Sequence, residues 1–374
     1  MSTIRPAPDS FTMRIPGKYI ENLYKIGLIC TLWVVCLFFY HLIIYFAIDE
    51  IAPGSIAFVQ HIISGFVLGL LFGLINGFLE VFVFKQRFRR IKFGYTVIAK
   101  TVLFASTFVA AVVLFILLKT YLLAPMGLAE MARENEMVEF FSSTVVYKHG
   151  LYAILFSFGI NSFLQVDSKM GRHVLLNLFV GRFYTPRRQK RVIMFLDLSS
   201  STTIAEKIGD QQYSAFLRDF YYDLDAAISM TRGAVYQYAG DGAVVVWDVK
   251  SGVEDANCIR CFFEASNDIH EKENRYNEAY GVSPRFRAGI HLGEVIVTEV
   301  GGSKSEIAYH GDAMNTASRL CAAAKEYESG LLISAELLEW LPSIEEIYRI
   351  ESIGLVQFRG KKHDIAAFTL TAKK

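Results

Sequence analysis

Val192-Ile-Met-Phe-Leu-Asp-Leu-Ser-Ser-Ser-Thr202 decides how the second half of this 374-residue chain is read. Five apolar residues in succession, Val192 to Leu196, read as a buried strand bounded by polar residues. Asp197 stands where that strand ends, and Ser199, Ser200, Ser201 and Thr202 open a helical stretch. A second segment repeats the theme: Ala234-Val-Tyr236 leads to Ala239-Gly-Asp-Gly242, with Asp241 in a tight turn. A carboxylate at a strand end is well placed to hold a divalent ion, and hard ions such as Mg²⁺ take oxygen ligands. Two carboxylates converging from adjacent strands can hold two ions and run an in-line displacement at phosphorus. The pair therefore points to an enzyme acting on a nucleoside triphosphate. Plainer readings stand beside it, with Asp197 as a helix cap and Asp241 as a type I′ turn residue.

From Arg191 onward, strands and helices interleave. The strand Val192–Asp197 precedes a helical stretch, Thr203–Thr231. A hairpin follows, Val235–Tyr238 and Ala243–Trp247, turning at Gly240-Asp241-Gly242. After a helix over Glu254–Tyr280, Arg285–His291 and Glu294–Val300 read as a second hairpin with Gly293 at its turn. A helix over Asp312–Tyr327 and shorter elements complete an α+β pattern of helices on a mixed sheet. Cys258 and Cys261 form a C-x-x-C, but no second pair or nearby His completes a zinc site. Their helical surroundings mark both as core thiols, with a redox motif as the alternative. Nothing in the five cysteines suggests a disulfide framework, which fits a cytosolic location.

Five motifs in order carry a resemblance: Phe195-x-Asp197-Leu198-x-x-x-Thr202; Gly240-Asp241; Phe286-Arg-Ala-Gly-Ile-His-Leu-Gly293; Gly311-x-x-x-Asn315-x-Ala317-Ser318-Arg319; and Phe358-Arg359-Gly360-Lys361. Residues 191–370 resemble the catalytic domain of class III nucleotidyl cyclases. The resemblance implies a ferredoxin-like βαββαβ core and attack of the ribose 3′-hydroxyl on the α-phosphorus, releasing pyrophosphate. It implies that Asp197 and Asp241 hold two Mg²⁺ or Mn²⁺ ions. Leu198, Ser199, Ser200, Ser201 and Thr202 would line the phosphates, with helix-opening amides as the cradle. Asn315 would orient the ribose and Arg319 would stabilise charge at the pentavalent phosphorus. Lys361 would neutralise the outer phosphates. In this family one protomer supplies the carboxylates and its partner the Asn and Arg. A chain carrying both sets is thus expected to be a head-to-tail homodimer with composite sites, inactive as a monomer. Two base-reading positions depart from the family: Gln237 stands where a Lys is common, and Ala308 where Asp, Thr or Ser is common. Gln237 can still hydrogen-bond a purine edge, whereas Ala308 cannot, leaving neighbours such as Tyr309 and His310. Glu294 replaces an Arg that some members carry. The guanine-selecting Glu is absent, which favours ATP over GTP as substrate. A non-catalytic membrane receptor that only binds nucleotide is the alternative of another class.

The first half is different. Hydrophobic residues make up 53% of the whole chain, and nearly all long apolar runs precede residue 167. Leu23–Ala47, Ser55–Phe84, Phe93–Leu123 and Val145–Val166 each approach or exceed the ~20 residues that span a bilayer. The expectation is a domain of four transmembrane helices over 1–166, a connector over 167–190 and the catalytic domain over 191–374. The first stretch begins late and lacks a small-residue cleavage site, unlike a signal peptide. Lys and Arg crowd the segments at 14–25, 85–92 and 169–182. The loops holding Asp49 and Glu50, and Glu130 to Glu139, are acidic. This predicts both termini, and the catalytic domain, on the cytoplasmic side of the inner membrane. Glu80 and Lys100 fall toward the cytoplasmic ends of adjacent spans, where they either pair or snorkel to the headgroups. His41 and His61 are interfacial residues or ligands of a metal or haem. Few buried polar groups and no evident repeat argue against a transporter. Within the connector, Leu175, Leu176, Leu178 and Phe179 form an amphipathic pattern that fits membrane lipid, with Arg172, Arg182, Arg187 and Arg188 near phosphates, or its copy in a dimer. The formal net charge of +1 argues against a nucleic-acid partner.

Overall fold

The computed structural model describes residues 17–48, 55–84, 91–123, 144–170, 174–303, 305–356 and 364–373. Contacts divide the chain into two units, Tyr19–Lys169 and a second holding Met170–Lys374.

The first unit is helical: α1 (Gly17–Ile48), α2 (Ser55–Phe78) running into a π-helical turn at Leu79–Phe84, α3 (Phe93–Leu123) and α4 (Thr144–Met170). All four contribute to one apolar core, with Trp33 and Tyr40 from α1, Phe72 from α2, Phe104 and Phe108 from α3, and Ala153 and Ile160 from α4. By length and composition, three stretches among the described residues are long and apolar enough to cross a membrane: Asn22–Phe46, Gly65–Phe84 and Phe93–Ala110. The expected count of four is therefore met at three, because α4, with Lys148, His149, Asn161 and Gln165 along it, is less apolar. α2 lies against α1 through glycines one turn apart: a Cβ at Gly69 would meet the Val34 Cα at 2.5 Å, and one at Gly73 the Cys30 Cα at 2.4 Å. Small residues at i, i+4 spacing permit such backbone approach, a signal that hydropathy alone passes over. Lys100 Nζ donates to Glu80 Oε1 at 2.6 Å, with the two side chains only 8% and 17% exposed, so they pair rather than snorkel. Thr107 Oγ1 also donates to Asn76 Oδ1 between α3 and α2. The side chain of His61, residues 49–54 and 124–143 and the basic run 85–90 lie outside the described residues.

The second unit begins with a short helix, α5 (Val174–Phe179), and contains an eight-stranded sheet. Its elements are β1 (Arg187–Leu198), α6 (Ser201–Ile208), α7 (Asp210–Met230), β2 (Ala234–Ala239), β3 (Gly242–Asp248), α8 (Asn257–Glu271), α9 (Glu273–Tyr280), β4 (Phe286–Val300), β5 (Glu306–His310), α10 (Asp312–Ala323), β6 (Leu331–Ser334), β7 (Tyr348–Val356) and β8 (Ile365–Ala372). Strand order is β2-β3-β1-β4-β6-β8-β7, with β5 on β4. β4 and β6 are parallel and the other pairs antiparallel, so the sheet is mixed. The first four strands and their helices reproduce the expected βαββαβ order.

Three element boundaries differ from the sequence reading. The helix expected over Thr203–Thr231 breaks at Gly209, whose φ of 79° ends α6 before α7 starts. The helix expected over Glu254–Tyr280 divides at Lys272 into α8 and α9. The hairpin expected around Gly293 does not form. β4 runs straight through it as a 15-residue strand, with Gly293 paired to Arg191 of β1. Glycine is present there for packing, because a Cβ would meet that of Ala313 at 2.6 Å. The alternation along β1 decides the two faces. Val192, Met194 and Leu196 meet Phe216, Phe220 and Leu224 of α7 and Cys258 and Phe262 of α8. Ile193 and Phe195 share the opposite face with Val244, Val246, Val295, Val297 and the α10 residues Ala313 and Ala317. Phe183 joins this second cluster and its carbonyl accepts the Glu299 amide, so the end of the connector belongs to the sheet unit.

Candidate active site

Strand pairing brings the two acids together. In the β1 registers, Asp197 lies opposite Gly242 of β3 and Arg287 of β4. The Leu198 amide donates to the Asp241 carbonyl at 3.2 Å, tying the end of β1 to the β2–β3 turn. The Asp197 carboxylate accepts the Arg287 guanidinium. Burial, and next the nearby Asp241 charge, push the Asp197 carboxyl above its ordinary value, while Arg287 opposes the rise. Asp197 makes its side-chain bond across the sheet, and α6 has no side-chain cap, which removes the helix-cap reading. Gly240 takes φ 62° and Asp241 is not among the residues of positive φ, so the turn lacks the two left-handed residues of type I′.

Two tyrosines of α7, absent from the sequence reading, frame the acids. The Tyr221 hydroxyl bonds the carbonyls of Gly240 at 2.9 Å and Gly242 at 3.0 Å, clasping the turn on both sides of Asp241. Burial chiefly, then the Asp241 charge, push the Tyr221 phenol far up, so it remains a donor. Tyr213 shows the same order of causes, and a bond to the Ser201 side chain partly offsets them. Both tyrosines pack on the core as the apolar face of α7, so an amphipathic helix pattern could not single them out. Two carboxylates with surrounding carbonyl oxygens are an oxygen donor set, which fits Mg²⁺ or Mn²⁺ and not a soft metal. Among the described residues no group of three His, Cys, Asp or Glu could hold an ion. Remaining ligands would therefore come from a bound phosphate chain and water.

The segment after Asp197 divides in its roles. The Ser199 amide is spent on the Arg285 carbonyl at 2.7 Å. Ser200 adopts a left-handed conformation, φ 57°, and α6 starts at Ser201. Ile204 is the first amide of α6 to bond back, to the Ser200 carbonyl. The amides that open the helix are therefore those of Ser201 to Thr203, so only Ser201 and Thr202 of the expected cradle contribute helix-opening amides.

Asn315 and Arg319 sit one turn apart on α10, Asn315 exposed and Arg319 half-buried, while Ala313, Thr316, Ala317 and Leu320 face inward. α10 rests on β4 at Gly289, where a Cβ would meet the Cys321 amide nitrogen at 2.1 Å and the Ala317 carbonyl oxygen at 2.4 Å. By alternation from Phe195 and Val295, Asp197 and Arg287 belong to the sheet face that α10 covers. Gln237 is exposed on β2 beside a bulge, and Ala308 is buried on β5 opposite Thr298. Their neighbours meet: the rings of Tyr236 and Tyr309 are 4.7 Å apart, and the Tyr236 hydroxyl accepts the Tyr309 amide. His310 is exposed, and Glu294 bonds Arg188 at 3.1 Å. Lys361, with Phe358 to Gly360, lies outside the described residues. Cys258 and Cys261 are fully buried, and burial pushes both thiols up to about 12, as expected of core residues rather than a redox pair.

Residues 183–372 match the family model described as the adenylate and guanylate cyclase catalytic domain. Adenylate cyclase 2 of Rhizobium meliloti (strain 1021) is 35% identical over 223 residues, 59% of this chain and 61% of that protein. Adenylate cyclase of Anabaena cylindrica is 27% identical, covering 57% of this chain and 41% of its own length. Guanylate cyclase D of Mus musculus is 29% identical over 45% of this chain and 15% of its own. The chain thus spans less than two thirds of each of these relatives. Among solved structures, a bacterial light-regulated adenylyl cyclase aligns with a TM-score of 0.49 at 20% identity, covering 58% of this chain and 65% of that one.

Proposed function

Because this chain belongs to the adenylate and guanylate cyclase catalytic-domain family, we propose that it is a membrane-anchored adenylate cyclase forming 3′,5′-cyclic AMP and pyrophosphate from ATP. The observation that carries the proposal is the convergence of Asp197 and Asp241 across the β1–β3 pair, with Tyr221 and Arg287 supporting them. In the reaction the ribose 3′-oxygen forms a bond to the α-phosphorus and its proton leaves to solvent. The bond from that phosphorus to the bridging oxygen breaks, and pyrophosphate carries the electron pair away. Asp197 and Asp241 would hold two Mg²⁺ or Mn²⁺ ions, which when bound neutralise the triphosphate and lower the pKa of the attacking hydroxyl. The first amides of α6 receive phosphate oxygens. Arg319 presents a planar, permanently charged fork to the equatorial oxygens, and Asn315 on the same helix face holds the ribose. Lys361 adds charge at the outer phosphates.

Each active site is assembled from two copies, one giving Asp197 and Asp241 and the other Asn315 and Arg319. The helical unit anchors the enzyme in the inner membrane with the sheet unit in the cytoplasm, and four spans, α4 included, would place both termini on that side. The test uses the full chain in lipid nanodiscs with Mn²⁺ and ATP. Cyclic AMP should form in the wild type and disappear in Asp197→Ala and in Asp241→Ala. Mixing Asp197→Ala with Arg319→Ala chains should restore one working site per heterodimer. Wild-type turnover in both Asp variants refutes the assignment. A second reading is cyclic GMP from GTP, since neither Gln237 nor Ala308 is the family's usual adenine-reading residue, and competition between ATP and GTP in one assay decides it.

A further inference from the structure

The Arg287 side chain is unexpected in a site meant to attract cations. It stands directly across the β1–β4 pair from Asp197 and donates to Asp197 Oδ2, with side-chain exposures of 20% and 31%. Directly opposed residues on antiparallel strands share a face, so the pairing is built into the register. The other oxygen, Oδ1, lies toward the turn that carries Asp241, 3.6 Å from the position a Cβ on Gly242 would occupy. Arg287 Nε is buried and makes no hydrogen bond among the described residues, while the rest of the guanidinium serves the Asp197 carboxylate and lies within reach of the Cys321 thiol. The Arg287 backbone is held as well, its carbonyl accepting the Cys321 thiol of α10 at 3.7 Å.

We infer that Arg287 is the resident counter-cation of Asp197: it orients the carboxylate with Oδ1 toward Asp241 and opposes divalent ions that approach the acid pair. This rests on the metal-holding role proposed for Asp197 and Asp241. Without Arg287, two neighbouring carboxylates would face each other uncompensated and would attract any free cation. With it, the two acids and one guanidinium leave a net charge of −1, because an arginine does not lose its proton. Arg287 therefore limits the affinity of the nucleotide-free protein for a free ion. It is a positioning residue, acting through Asp197.

The experiment titrates Mn²⁺ into the full chain in lipid nanodiscs without nucleotide, reading free Mn²⁺ by electron paramagnetic resonance. Arg287→Gln removes the charge and should tighten Mn²⁺ binding roughly tenfold or more. Arg287→Lys keeps the charge and should stay within about threefold of wild type. Thermal unfolding followed by circular dichroism reports folding of each variant. Equal or weaker binding by folded Arg287→Gln overturns the inference. Should Arg287→Gln not fold, Arg287→Lys decides, and a change of more than about tenfold in either direction overturns it. Asp197→Asn separates the two levels of the argument. If it leaves Mn²⁺ binding at the wild-type level, the metal-holding role itself fails, whatever Arg287 does.

Discussion

Replacing Gly289 by Ala tests how the fold sets the distance between α10 and the sheet. The added Cβ would lie 2.1 Å from the Cys321 amide nitrogen, 2.4 Å from the Ala317 carbonyl oxygen and 2.6 Å from the Leu320 carbonyl carbon. All three are backbone atoms of one helix, so no side chain can rotate away. Ordinary contact begins near 3.4 Å, and 3.4 − 2.1 leaves about 1.3 Å by which α10 must withdraw. Overpacking of this kind costs about 1–3 kcal/mol, less than a domain's usual stability, so the variant should fold. The shift carries Asn315 and Arg319 with the helix. A misplacement of about 1 Å at a reacting centre costs on the order of 100-fold in rate. Gly289→Ala should thus lower kcat about 100-fold, with a far smaller change in the Mn²⁺ half-saturation, since Asp197 and Asp241 do not ride on α10. Cyclic AMP formation in nanodiscs at saturating ATP, with Mn²⁺ varied, measures both quantities. A wild-type kcat in a folded Gly289→Ala would show that α10 does not position the chemistry.

Tyr221→Phe keeps the ring packed at a tilt against Tyr238, centroids 4.5 Å apart, but removes the hydroxyl that clasps Gly240 and Gly242. It should cost about 1–2 kcal/mol and raise the Mn²⁺ half-saturation about 5–10-fold; an unchanged metal dependence would remove Tyr221 from the positioning of Asp241. For Asp197, burial and the Asp241 charge raise the folded-state pKa, so the folded chain holds this proton more tightly than the unfolded one. Its contribution to stability is complete below the unfolded value of about 3.9, falls as pH rises through the folded pKa and is level above it. Asp241→Asn removes a like charge and should therefore raise the metal-free melting temperature at pH 7, with little change at pH 3; calorimetry with chelator present checks this. In the helical unit, Glu80→Gln leaves Lys100 buried and unpaired and should destabilise by about 3–5 kcal/mol, whereas Glu80→Gln with Lys100→Met should cost much less. Thermal unfolding in detergent compares them, and equal losses would mean the pair contributes nothing as a pair.

The sequence alone determined the division into an apolar half and a mixed half, because hydropathy is a property of runs of residues and needs no partner. It also determined most strands and helices, and both acids at strand ends, since these are signals within a few neighbours. The resemblance carried by the five motifs anticipated the family and the βαββαβ core. What lay beyond it depended on contacts distant in sequence. Gly293 reads locally as a turn, and only the long pairing of β4 with β1, with Ala313 pressing on it, shows why a strand keeps a glycine there. Asp197 and Asp241 are 44 positions apart, from 241 − 197, and their meeting is decided by the β1–β3 register. Tyr221 and Arg287 carry no local sign of their tasks. One looks like any apolar face of a helix and the other like any strand cation, until packing delivers a hydroxyl to two carbonyls and a guanidinium to a carboxylate. Glu80 and Lys100 were visible as charges, but whether they turned to lipid headgroups or to each other was a matter of helix rotation, which the packing of α2 against α3 decided. Local patterns fix the elements because they act between near neighbours; the site needs distances between remote residues, and those exist only after the chain has folded.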